Sequence, residues 1–281
     1  MPPPVSAVVF TLNEERNLPA CLASLRWCDD VVVVDSYSSD RTAEISSEAG
    51  ARFVQRRFDG FGTQRNWALD QLDLAHDWVL FLDADERVPA KLVTELERRL
   101  PHAEDDVAAF RVRRRFHLWG RWLPRSSLYP TWVVRLVRRG RVRYVDRGHA
   151  ETQEVSGAVE ELQSDLIDEN LRGIDAWFAR QNRYSTQEAQ AELEHGPLRP
   201  LELRALLSSD PLARRWVARR VGRSLPLRGA WAFAYVYLLR GGILEGRAGF
   251  NLALMKAIYQ QMIAIKKFDL ARRPRPPGAP Q

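Results

Sequence analysis

Two aspartates flank one small residue, Asp83-Ala84-Asp85, directly after the apolar run Val79-Leu80-Phe81-Leu82. Carboxylates in this arrangement can reach a hard divalent ion, Mg²⁺ or Mn²⁺, which prefers oxygen ligands and keeps positions open for phosphate oxygens. Such an ion would neutralise a departing diphosphate, the Lewis-acid role of a catalytic metal. A bare D-x-D triplet is common as a loop cap. Here two more polar segments end apolar runs upstream, Asn13-Glu14 after Val5–Leu12 and Asp35 after Val31–Val34. Neither G-x-G-x-x-G nor G-x-x-x-x-G-K-[ST] is present, so a nucleotide would be read by carboxylates and amides rather than by a phosphate cradle.

The elements that must position these acids alternate. Val5–Leu12 reads as a strand, and Leu18, Leu22 and Leu25 recur at helical spacing behind Asn13-Glu14-Glu15. Val31–Val34 suits a buried parallel strand. Ser38-Ser39-Asp40 can cap a helix ending at Gly50, and Phe53-Val54 gives a third strand. A helix over Gln64–Leu72 precedes a fourth strand, Trp78–Leu82, and Pro89–Leu100 reads as another helix. Strands alternating with helices predict an α/β fold whose mostly parallel, Rossmann-like sheet is flanked by helices. In such a sheet the carboxyl ends share one edge, where open α/β folds bind ligands. Acids gathered there repel one another unless a cation or hydrogen-bonding ligand sits among them.

Further along, Ala108–Arg113, Trp132–Val137 and Arg141–Val145 read as strands around a Trp-rich loop at Trp119–Trp122, and residues 173–194 as a polar helix. Pro197–Pro211 reads as a hinge. The net charge of +6 is uneven: residues 199–281 hold 16 Lys/Arg against 4 Asp/Glu, and the rest 26 against 32. Gly229–Leu239 is aromatic and apolar but ends at Arg240, and Gly241–Leu254 contains Glu245 and Arg247. A span needs about 20 apolar residues. An interfacial pair of helices, aromatic on one face and Arg-rich on the other, fits better, with Arg214-Arg215-Trp216, Arg219-Arg220 and Arg223 toward anionic headgroups. The bland alternative packs Trp231, Phe233, Tyr235 and Tyr237 as ordinary core. No RNA-binding motif accompanies the tail, so no nucleic-acid partner is expected. Cys21 and Cys28 make no disulfide framework, which fits a reducing cytosol. The start, MPPPVSAVVFTLNEE, lacks the basic residue a secretory leader would place before its apolar stretch.

Several stretches resemble family 2 glycosyltransferases of the GT-A fold, and among them bacterial lipopolysaccharide-core and cell-envelope sugar transferases. They are Thr11-Leu12-Asn13-Glu14-Glu15, Asp35-Ser36-Tyr37-Ser38-Ser39-Asp40-Arg41-Thr42, Gln64-Arg65-Asn66 and Asp83-Ala84-Asp85-Glu86. Tyr129-Pro130-Thr131-Trp132 with Arg135-Leu136, Gly148-His149-Ala150-Glu151 and Asn182-Arg183-Tyr184 continue the likeness. The resemblance implies an inverting transfer of a sugar from a nucleotide-sugar donor to a glycolipid or glycan acceptor. It implies that Thr11, Asn13 and Glu14 line the nucleoside pocket with Leu12, Ser38 and Ala84, and that Asp35 hydrogen-bonds the base. Asp83 would meet the ribose or the metal, Asp85 would hold the metal, and Arg65 and Asn66 would sit near the donor. Glu151 is the candidate base; His149, which an extended chain puts on the same side, would orient the acceptor or act as base instead. Asp146, Asp168 and Glu169 are reserve candidates.

The expected organisation is a catalytic domain over 1–195, a helical, basic, membrane-facing region over 196–271 and a disordered tail over 272–281. The expected place is the cytoplasm, peripheral on the cytoplasmic face of a bacterial inner membrane. The competing readings are a nucleotidyltransferase, disfavoured because Thr11-Leu12-Asn13-Glu14-Glu15 replaces its Gly-rich basic loop, and a membrane-binding scaffold with an idle nucleotide pocket.

Overall fold

The valine-rich runs become strands because β-branched side chains suit a pleated surface covered on both faces. In the computed structural model, which describes residues 3–147, 150–194 and 227–272 with residues 196, 214, 217, 221 and 222, β1 (Val5–Thr11) lies between β2 (Asp30–Asp35) and β4 (Trp78–Asp83). β3 (Arg52–Gln55) lies outside β2, and all four run parallel. Alternate side chains of β1 enter opposite cores. Val5, Ala7 and Val9 pack with Leu18 and Leu22 of α1 (Leu18–Ala23) and Leu92 and Leu96 of α4 (Ala90–Arg99). Val8 packs with Ala68 and Leu69 of α3 (Phe61–Gln71). This double cover explains the nearly unbroken apolar runs.

Past β4 the sheet continues through β8 (Thr131–Arg138), β6 (Val107–Leu118) and β11 (Ala158–Asp168) to the two-residue β5 (Glu86–Arg87). β8 is antiparallel to both β4 and β6, and β11 is parallel to β6. The carboxyl ends of β6 and β11 therefore return to the edge where β1, β2 and β4 end. β7 (Arg121–Trp122) folds back on β6, while β9 (Val142–Arg147) and β10 (Ala150–Val155) form a separate antiparallel pair.

Most of these elements match the expected ones; the first helix starts later than expected, and β5, β7, β10 and β11 were not expected as strands. The helix expected behind Asn13 begins only at Leu18, because the amides of Asn13, Glu14 and Glu15 bond across to Ser38 Oγ, Thr42 Oγ1 and Asp40 Oδ2 instead. β11 was not anticipated: its text, AVEELQSDLID, buries only Leu162, Asp165 and Leu166, so its apolar signal is sparse. Ser38-Ser39-Asp40 does precede the helix α2 (Thr42–Glu48), with Asp40 Oδ1 accepting from the Thr42 amide at 3.0 Å, and Gly50 follows with φ of 72°.

The chain divides into two compact units between Ile174 and Asp175. The expected helix over 173–194 is present as α5 (Gly173–Glu194). In the second unit α6 (Arg228–Ala234) runs into a π-helical turn, Tyr235–Leu239, then a 3-10 turn, Gly242–Glu245, and α7 (Gly246–Arg272). The hairpin is tight: a Cβ on Gly249 would lie 2.1 Å from the Gly242 carbonyl oxygen. Buried Arg228 pairs with Glu192 at 3.1 Å and reaches Gln260 at 2.7 Å. Of the four aromatics proposed as core, Phe233 and Tyr237 do pack together with Phe250, whereas Trp231 and Tyr235 are exposed. No helix among the described residues is long and apolar enough to cross a membrane. The hinge over Pro197–Pro211, most of the Arg-rich run at 214–223 and the tail beyond Arg272 lie outside the described residues.

Candidate active site

Register alone collects the acids. Thr11 pairs with Asp35 across β1–β2, and Phe10 with Asp83 across β1–β4, so three adjacent strands deliver polar residues to one edge. Asp35 is wholly buried. Its carboxylate accepts hydrogen bonds from Thr11 Oγ1 at 2.9 Å, the Ser38 amide at 2.8 Å, Ser38 Oγ and Gln55 Nε2 at 3.2 Å. In this conformation Asp35 shapes the loop after β2, and contact with a base would require it to exchange one of these partners. Asn13 locks the same loop from the other side, its Oδ1 accepting from the Ser39 amide at 2.8 Å. Asn13 and Tyr37 both have positive φ, 55° and 63°. The loop pair thus leaves Leu12 and Tyr37 exposed at the rim.

Asp83 meets two arginines. Arg135 of β8 places Nη2 2.5 Å from Asp83 Oδ2 and 2.7 Å from Glu86 Oε1, and Arg65 of α3 reaches Asp83 Oδ1 at 3.4 Å. Burial pushes both carboxyls toward the neutral form. The guanidiniums overcome it at Asp83, held down at about 2, and do not at Glu86, which stays above the ordinary carboxylate value. Arg65 is itself enclosed by the rings of Phe10, Phe81 and Tyr144, at 5.4, 5.9 and 5.6 Å. The repulsion expected among the acids is therefore offset in large part by arginines from α3 and β8.

Asp85 stands differently. Its Oδ2 accepts from Asn170 Nδ2 at 2.9 Å, and its backbone carbonyl accepts from the Glu169 amide at 2.9 Å, just past β11. Two further carboxyls feel its charge. Asp168, at the end of β11, is raised to about 7 by burial and then by Asp85, although Arg114 lies 3.4 Å away. Glu14 is raised chiefly by burial, with Asp85 adding to it, against hydrogen bonds from Asn17 at 2.6 Å and Arg172 at 2.9 Å. Ala84, between the aspartates, is buried.

Asn66 is engaged with the β9–β10 pair. Its amide holds the backbone of Tyr144 from both sides, donating to the carbonyl at 2.8 Å and accepting from the N–H at 2.9 Å, and so ties α3 to the β9–β10 pair. Glu151 sits on that pair, its backbone opposite Asp146. His149 lies outside the described residues, as do the side chains of Glu151 and Asp146. Glu169 is occupied structurally, paired with Arg87 and accepting from the Gly120 amide at 2.7 Å. Among the described residues, no cluster of three or more His, Cys, Asp or Glu is arranged to hold a metal by itself.

The roles of Asn170, Arg172 and Glu86 were not foreseen. Arginine and asparagine after a weakly patterned strand carry no spacing that points back to residues 14 and 85. Glu86 was visible as the fourth letter of Asp83-Ala84-Asp85-Glu86, but not as the buried partner of Arg135.

The model for the family "Glycosyl transferase family 2" matches residues 6–160 of this sequence. A lipopolysaccharide core biosynthesis glycosyltransferase, LpsC, of Rhizobium meliloti (strain 1021) is 30% identical over 276 residues, spanning 95% of this chain and 92% of that protein. An uncharacterized glycosyltransferase of Rickettsia prowazekii (strain Madrid E) is 29% identical over 278 residues, spanning 95% and 87%. Among solved structures, S. aureus TarS 1–349 in complex with UDP-GlcNAc is similar at 16% identity and a TM-score of 0.43 over 92% of this chain and 91% of that one. The matched segment holds every residue of the acidic edge from Thr11 to Glu86, and the chain belongs to glycosyl transferase family 2.

Proposed function

We propose that this glycosyltransferase moves a sugar from a nucleotide-sugar donor to a lipopolysaccharide-core or other cell-envelope acceptor, inverting the anomeric centre in one displacement. The observation that carries the reading is the convergence of Thr11, Asp35 and Asp83 on three neighbouring strand ends, with Asp85 one step beyond. The envelope acceptor is suggested by the relative named for lipopolysaccharide core biosynthesis, which matches along nearly its whole length.

The donor set at the edge is all oxygen, which suits Mg²⁺ or Mn²⁺. Asp85, with Asp83, would hold the ion, and the ion when bound supplies positive charge to the departing diphosphate. Arg65 and Arg135 keep Asp83 ionised for this task. Thr11, Leu12, Asn13, Glu14, Ser38 and Ala84 shape the nucleoside pocket around Asp35. Glu151 takes the proton of the attacking hydroxyl, or His149 does so, on the hairpin that Asn66 anchors to α3.

The second unit fits a peripheral place on the cytoplasmic face of an inner membrane. Its hairpin tip exposes Leu238, Leu239, Ile243 and Leu244 at 59, 79, 50 and 67%, with Arg240 between them. Four large aliphatic side chains at one turn are a poor match for water and a good one for an acyl boundary with anionic headgroups.

A thermal-shift screen of nucleoside diphosphates and nucleotide sugars, with Mg²⁺, Mn²⁺ or a chelator, tests the core of the reading. Stabilisation by one nucleoside diphosphate that needs metal is expected. Equal stabilisation in chelator would remove the metal from the mechanism, and none at all would remove the donor.

A further inference from the structure

The hairpin joining β6 to β7 closes through Leu118 paired with Arg121, and its two-residue tip is Trp119-Gly120. Both tip residues have positive φ, 53° and 75°, as a type I′ turn requires. Asn, Asp and Gly favour the first of these positions, whereas a bulky ring there is strained. Trp119 is nevertheless 63% exposed, and its side chain meets no aromatic, charged or hydrogen-bonding partner among the described residues. Neither turn preference nor packing accounts for a tryptophan at this position.

Side-chain contacts brace the hairpin behind the tip. Arg115 lies over the Trp122 ring at 4.6 Å, Trp122 meets Tyr129 edge-on at 5.4 Å, and the Tyr129 hydroxyl donates to Asp165 at 2.8 Å. The arginines of β6 each face a carboxylate: Arg111 faces Glu161, Arg113 and Arg115 face Asp165, and Arg114 faces Asp168. Arg121, on the returning strand, is exposed and has no carboxylate partner among the described residues. The tip is also fastened to the acidic edge. Glu169 accepts from the Gly120 amide at 2.7 Å while its own amide donates to the Asp85 carbonyl at 2.9 Å.

We infer that Trp119 and Arg121 form the acceptor platform. A pyranose ring of the acceptor stacks on the indole, and an acidic substituent of that sugar, phosphate or carboxylate, pairs with Arg121, whose fork matches either group. Glu169 is the positioning residue that fixes this platform beside Asp85. The inference rests on the sugar-transfer reading and adds the chemistry of the acceptor, an acidic sugar.

The test uses the full chain and, as probe, a deacylated lipopolysaccharide core oligosaccharide, native or dephosphorylated, titrated calorimetrically into the wild type and three variants. Trp119→Asn is expected to weaken binding about tenfold or more while raising Tm by roughly 2–4 °C through relief of the turn. Trp119→Phe keeps most of the affinity. Arg121→Ala weakens binding of the native probe only, if phosphate is the group met, or of both probes equally, if it is carboxylate. Wild-type affinity in Trp119→Asn or in Arg121→Ala overturns the platform, and so does a wild-type chain that binds neither probe. Nucleoside diphosphate stabilisation, measured on the same preparations, fails only if the transferase reading itself is wrong.

Discussion

Arg135 holds Asp83 by a 2.5 Å contact between Nη2 and Oδ2, linking the antiparallel strand β8 to the first acid of Asp83-Ala84-Asp85. The same nitrogen serves Glu86, which is fully buried. Removing the guanidinium leaves buried Glu86 to the more distant Arg114, 3.7 Å away, so Arg135→Ala should lose up to about 3–5 kcal/mol of stability in urea denaturation. Arg135→Lys should recover only part, because an ammonium lacks the second contact that Nε makes to Glu86 Oε1 at 3.3 Å. A loss below about 1 kcal/mol, the range of exposed pairs, would show that the contact matters little.

Asp85 stands just past the end of β4, where its Oδ2 accepts from Asn170 Nδ2 at 2.9 Å. If it holds the ion as proposed, Asp85→Ala should abolish the metal-dependent part of nucleoside diphosphate stabilisation, which is about 2.7 kcal/mol at a hundredfold excess over Kd. Titration calorimetry with and without Mn²⁺ reads this directly. Undiminished metal dependence in Asp85→Ala would transfer the role elsewhere.

Glu151→Gln should bind the donor as the wild type does and lose transfer by roughly 10²–10⁴-fold, the usual worth of a general base. Unchanged transfer would hand the role to His149, and His149→Gln then becomes the variant to assay.

At the hairpin tip of the second unit, Leu239→Asp with Leu244→Asp should release the chain from vesicles of anionic lipid. A buried leucine contributes about 1.5–3 kcal/mol, so cosedimentation should fall at least tenfold. Retained pelleting, or none by the wild type, would count against membrane docking through this turn.

Cys28 offers a pH test away from the site. Burial pushes its thiol up to about 11, and Sγ donates to the carbonyls of Val5 at 3.1 Å and Asp30 at 3.3 Å. The thiol is thus neutral at pH 8, and iodoacetamide labelling of the folded chain should be slow there and rise toward pH 11 as thiolate forms. Rapid labelling at pH 8 would show that the segment opens.

Much of this was legible in the residues because the apolar runs of β1, β2 and β4 are short, β-branched and each end in a polar group, a pattern that maps onto one sheet edge without knowledge of side-chain contacts. Two things were not. The arginines that neutralise Asp83 come from α3 and from β8, and charge partners separated by 18 and 52 positions leave no local periodicity. The strand β11 alternates charge with few apolar residues because its Glu161 and Asp165 answer the arginines of β6, so its pattern makes sense only beside its neighbour. Asn13-Glu14-Glu15 misled for a related reason: residues that commonly open a helix here donate their amides to another loop.

Because β5 pairs with the end of β11, Glu86 opposite Asp168, the short strand just after Asp85 gains its partner only when a segment some eighty positions later arrives. During synthesis the first four strands can assemble early, yet the bonds from Glu169 and Asn170 to Asp85 form only once residue 170 has been made. A ribosome-bound chain halted before that point would hold the halves of its pocket without the clamp that joins them, and competence to grip a ligand should appear in a single late step rather than by degrees.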